Sequence, residues 1–132
     1  MFLFKKKKKT IPFEDDQTKY QYNNVLELYL QRYNKQQDKL TQADQDKIIN
    51  LASTHIVYFW IWLIENNYYL PTLPDHFLNQ VQANEIDPND YFNHHCNGTL
   101  NRKDIDPTIY TFVDEYYHQH FMYEYCDFVD RT

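Results

Sequence analysis

A chain of 132 residues, 42% of them apolar, can bury one hydrophobic core and is too short for two. Its single glycine excludes the Walker and dinucleotide-binding fingerprints, and argues against tight hairpins, which call for φ > 0. The net charge of −6 includes five consecutive cations, Lys5 to Lys9, so the rest of the chain is strongly acidic; that disfavours nucleic acid as a partner and favours a protein partner of basic character.

The chain opens MFLFKKKKK, with its apolar tip ahead of its charges, the reverse of a secretory signal. At most, Lys5 to Lys9 would give weak contact with an anionic membrane surface; residues 1–17 read as a basic, disordered or irregular tail, and 18–132 as a single α-helical domain. The longest apolar run, HIVYFWIWLI, has ten residues, too few to cross a bilayer. Cys96 and Cys126 read as reduced thiols and the protein as cytoplasmic.

From Thr18, Tyr22, Leu26, Tyr29, Leu30 and Tyr33 fall at helical spacing and predict one amphipathic helix. After the polar NKQQDKL, Thr41 opens T-Q-A-D, a capping-box-like start to a long helix from about Gln42 to Tyr68. Its middle is apolar in every direction, which places it at the centre. Pro71 and Pro74 break the chain, and Asp75 is expected to cap a short helix through Glu85 with Phe77, Leu78 and Val81 inward. Asp87-Pro88 and Asp106-Pro107 each set an N-cap acid before a proline suited to the first helical position. The fourth helix runs Pro88 to Asn97 and stops at Gly98; the last runs from Pro107 to about Phe128. The expectation is an all-α, single-domain bundle of about five helices around a central apolar helix (about 42–68), without a β-sheet.

His55 shares a helix face with Ile48, Leu51, Phe59 and Trp62, so it reads as a core histidine bonded to a carbonyl or a tyrosine. The alternative is a pocket holding His55, Trp62 and His120. Asp90 with His94 and Asp114 with His118 are four apart, so each pair shares a helix face; on facing helices the two pairs could hold a metal. Against that, His118 and His120 diverge by about 200° on a helix, so they cannot share one ion there. There is no C-x-x-C, and no nucleophile, base and orienting group fall at a recognisable spacing. Along the last helix Ile109, Val113, Tyr116, Tyr117, His120 and Tyr123 gather on one side. Asp114, His118, Met122 and Tyr125 gather opposite.

STHIVYFWIWLIENNYYL resembles the signature of a family of small uncharacterised bacterial domains of unknown function. The resemblance rests on His55 and Ile56, on Trp62 seven residues on, and on Asn66 or Asn67. DYFNHHCNGTLNRKDID and the Tyr-rich acidic DEYYHQHFMYEYCDF are similar to the family's later segments, so the likeness covers about two-thirds of the chain, from Leu51 onward. The family has no settled activity. Its size and setting resemble those of immunity proteins that neutralise bacterial toxins, which implies a protein partner. The combined expectation is a non-enzymatic acidic protein-binding module without a cofactor. Asp114, Glu115, His118, Tyr125 and Asp127 are the first binding candidates, and Asp90 and Tyr91 the next. The alternative is a small metal- or His-dependent enzyme.

Overall fold

The structure, a computed structural model, describes residues 12–117. Its elements run β1 (Asp15–Gln17), α1 (Thr18–Tyr33), α2 (Gln42–Glu65), α3 (Phe77–Gln82), α4 (Pro88–His95), β2 (Thr99–Asn101) and α5 (Tyr110–Tyr116), with short 3₁₀ turns at 37–39, 102–104 and 107–109. The mostly helical architecture agrees with the expected class, with one correction: β1 and β2 form a two-stranded antiparallel sheet in which Asp16 faces Leu100. Three-residue strands offer no run of alternation to read, so the pairing is made by tertiary packing. Leu100 is wholly buried, and Arg102 N–H donates to Glu14 O at 2.8 Å beyond the ladder.

α2 is the central element. Thr41 caps it as expected: its hydroxyl accepts from the Asp44 N–H, and the Asp44 carboxylate accepts from the Thr41 N–H at 2.9 Å. The helix stops at Glu65, three residues before Tyr68. Asn67 takes the left-handed conformation, its N–H donating to Ile64 O, while Tyr68 N–H donates to Leu63 O, the paired bonds of a Schellman cap. By length and composition alone α2 could cross a membrane, a test its ten-residue apolar run did not suggest it would meet; 50% of its most apolar window is buried in the fold. Burial is not uniform round it. Ile56, Phe59, Trp60 and Leu63 are buried, whereas Tyr58 is 66% exposed.

Two apolar clusters share α2. Val25, Leu26 and Tyr29 of α1 pack on Ile48 and Ala52 at one end. At the other, Phe13, Phe92, Leu100, Ile105, Val113 and Tyr117 close round Phe59, Trp60 and Leu63. Phe13 comes from TIPFEDDQ, expected to be an irregular lead-in; its ring is fully buried edge-on to Tyr117, with centroids 4.8 Å apart.

Asparagine does the work expected of glycine. Asn34, Asn67, Asn84 and Asn97 all have positive φ, and the Schellman bond pair recurs after α1 and α3, where Asn34 and Asn84 sit at the turn. Asn tolerates this region better than other side chains, which is how a chain with one glycine ends so many helices sharply. Gly98 (φ 60°) has a further reason: a Cβ there would come within 3.0 Å of Asn93 Oδ1 and Thr18 Oγ1. Asp87 caps α4 as predicted, and Asp106 caps its 3₁₀ turn through Thr108 N–H. Asp75 does not cap α3. His76 occupies that position in a left-handed conformation with no side-chain bond, and only Phe77 of the three expected inward residues is fully buried.

Candidate functional site

Two polar constellations stand out, one closed and one open. The closed one joins β1, α2 and the end of α5. Asp16 and His55 are 5% and 3% exposed and Tyr117 is wholly buried. Asp16 Oδ2 lies 2.8 Å from His55 Nε2 and accepts the Tyr117 hydroxyl proton at 2.5 Å. Burial, reinforced by the Asp16 charge, raises the Tyr117 pKa well above that of a free phenol, so the hydroxyl stays protonated and donating. His55 therefore faces the core as expected, with its Nε2 paired to the Asp16 carboxylate. Nothing in the local sequence marks Asp16 as that partner, since adjacent acids are usually solvated. One strand register settles it: Asp15 and Gln17 are partly exposed, and Asp16 between them points inward. Phe59 stacks on Trp62 at 5.9 Å, but Trp62 is half-buried and joins Tyr68 and Phe112 in a separate aromatic layer. His120, the third member of the expected pocket, lies outside the described residues.

The open constellation is a cavity of about 450 Å³ where α1, α2 and α4 meet. α1 contributes Lys19 and Tyr22, α2 contributes Asp46, Ile49 and Asn50, and α4 contributes Asp90 and His94; Asn97 and Gly98 close the far side. A polar seam fixes its floor. Thr18 hydroxyl donates to Asn93 Oδ1 at 2.6 Å, Asn93 Nδ2 donates to Ser53 Oγ at 3.2 Å, and Asn89 Nδ2 donates to Asn50 O at 3.0 Å. Ser53 is wholly buried, so these bonds satisfy a hydroxyl inside the fold and lock α4 onto α2. The signal was present in the sequence: Asn89, Asn93 and Asn97 repeat at four-residue spacing, as do Asp90 and His94 and, on α2, Asp46 and Asn50.

The other sequence-predicted residues divide. Asp90 and His94 are exposed and line both this groove and a second hollow of about 410 Å³ with Tyr91 and His95. Tyr91 is a core edge more than a free contact, stacking near-parallel on Trp60 and on the His95 ring at 4.3 Å. Asp114 is turned inward: it receives Arg102 at 2.6 and 3.1 Å and the Phe13 N–H at 2.8 Å. That ion pair raises the Arg102 pKa and ties α5 to the turn after β2, while the Phe13 N–H ties it to the segment before β1. Glu115 is exposed, while His118, Tyr125 and Asp127 lie outside the described residues. The metal alternative paired Asp90 and His94 with Asp114 and His118, of which His118 lies outside the described residues. Among the described residues no three His, Cys, Asp or Glu side chains gather at metal-binding distance. Cys96 is half-buried, 3.9 Å from the Tyr69 hydroxyl, and burial pushes its thiol pKa up, the opposite of what a nucleophile needs.

The family model described as "Domain of unknown function (DUF7832)" matches residues 16–132. The chain belongs to that family. The match begins at Asp16, inside β1, and takes in every element from α1 onward, a longer stretch than the resemblance from Leu51. Neither the curated proteins nor the solved structures contain a match to the chain.

Proposed function

We propose that this member of the DUF7832 family is a non-enzymatic binding module whose partner is a protein, engaged at the groove between α1, α2 and α4. The observation that carries the reading is the contrast in access. Asp16, His55 and Tyr117 are buried, with Asp16 bonded to both of the others, while the open cavity presents carboxylates, amides, a tyrosine, the Lys19 ammonium and the His94 imidazole. Such a surface binds well and has no activated nucleophile among its described residues. The acidic chain would steer a basic partner toward it, with salt-sensitive association. Toxin neutralisation in the cytoplasm is the specific form of this function that we favour, on the family resemblance noted above.

The test is affinity capture from the native host at low salt, identification of the partner, and reconstitution from purified components. Charge reversal by Asp90→Arg should weaken the reconstituted complex at least tenfold, and raising the salt should weaken the unmodified complex. A purified partner indifferent to both changes, or no partner at all, overturns the proposal.

A further inference from the structure

We infer that the groove is built for an extended peptide segment carrying a lysine or arginine, an inference that rests on the binding-module reading above. Three features of the lining converge on that chemistry. Asp46 and Asp90 bring carboxylates from two different helices to one cavity, and a carboxylate accepts the parallel N–H donors of a guanidinium or the point charge of an ammonium. Tyr22 and Ile49 supply apolar surface between the polar groups. This suits the aliphatic stem of a long cationic side chain, whose head can also sit against the tyrosine face. Asn50 and Asn97 add side-chain amides, each with one donor and one acceptor side, the complement of a peptide unit.

The alternatives fit less well. A phosphate-bearing ligand would face the carboxylates of Asp46 and Asp90, with Lys19 and the His94 imidazole as the basic groups in the lining. A wholly apolar segment would strip water from the carboxylates and amides without pairing them. The floor is also rigid before any ligand arrives, because the Thr18–Asn93–Ser53 bonds hold α1, α2 and α4 in place. Binding would therefore order the peptide and not the protein.

The full chain, ¹⁵N-labelled, should be titrated with three probes: a blocked Gly/Ser heptapeptide with a central Arg, the same peptide with a central Glu, and acetyl-arginine methylamide. The Arg peptide should shift amide signals of residues 17–22, 46–50 and 90–98, saturating with a Kd of roughly 1 mM. Asp46→Asn with Asp90→Asn should weaken it about tenfold, the Glu peptide should leave those signals still, and the single-residue probe should bind more weakly than the heptapeptide. Absence of these shifts, or equal shifts with the Glu peptide, removes the inference. Equal affinity for the single-residue probe removes the extended-segment part. A native partner whose affinity ignores Asp46→Asn with Asp90→Asn also overturns the inference while leaving a binding module in place, whereas absence of any partner defeats the underlying reading.

Discussion

Asp44 and Asp16 are both buried carboxylates, each 5% exposed, yet they are closed in opposite ways. Asp44 draws its partners from nearby in sequence. It accepts from Thr41 three residues back, from Lys35 Nζ at 2.6 Å and from the Tyr29 hydroxyl at 2.5 Å, fifteen residues away. Asp16 draws on His55, 39 residues on, and Tyr117, 101 residues on. The first is a local knot that finishes one helix and starts the next. The second is a clasp that exists only once the whole domain has assembled. A buried acid in this fold is thus structural in both places, but only the local one announces itself through a motif.

Removing the clasp should have the largest effect. Asp16→Ala takes away the acceptor used by both His55 and Tyr117 and should cost about 3 kcal/mol or more, measured as a fall in the urea midpoint with unchanged slope. Removing the local cap should cost less: Thr41→Ala loses one side-chain cap and is expected to destabilise by about 1 kcal/mol. If the two variants lose equal stability, the distinction between clasp and knot fails. The smallest and most selective effect is in pH dependence. Hydrogen bonds from Lys35 and Tyr29 hold the Asp44 pKa well below the usual carboxylate range. Its contribution is therefore present above the unfolded value of about 3.9 and fades as the pH falls below it. Asp44→Asn should flatten that acid limb of a midpoint-against-pH curve. The same hydrogen bond pushes Tyr29 up to about 12, so an alkaline loss should set in as the pH rises above the unfolded phenol value of about 10. Tyr29→Phe should reduce that limb, and an unchanged one would show that Tyr29 is not its source.

Legibility followed the same divide. The start of α2, the Asp87 cap of α4 and the Asp106 cap could be read because each is written within four residues. The sheet could not, because its two strands are three residues each and pair across most of the chain. With it went the roles of Phe13 and Asp16, which depend on which side of β1 faces inward. The groove lay between these cases. Asp90 was picked out both as a binding candidate and, with His94, for a metal; Tyr22 was read only as part of an apolar stripe, and Asp46 and Asn50 were passed over because amide-rich helix faces look like ordinary solvated surface. Asp114 shows the reverse error. Its helical position read as outward, and Arg102, reached through the turn after β2, draws it inward.

Synthesis order gives the clasp one more consequence. The chain emerges N-terminus first, so Asp16 waits through 101 residues of translation before Tyr117 appears. The Phe13 amide waits equally long for Asp114. The cluster formed by Val25, Leu26, Tyr29, Ile48 and Ala52 needs no residue beyond α2 and can assemble early. Once α2 has emerged, the nascent chain can therefore carry a finished α1–α2 hairpin beside an N-terminal strand that still lacks its later partners. It closes only when α5 arrives, which makes this segment the stage of its life most exposed to misassembly.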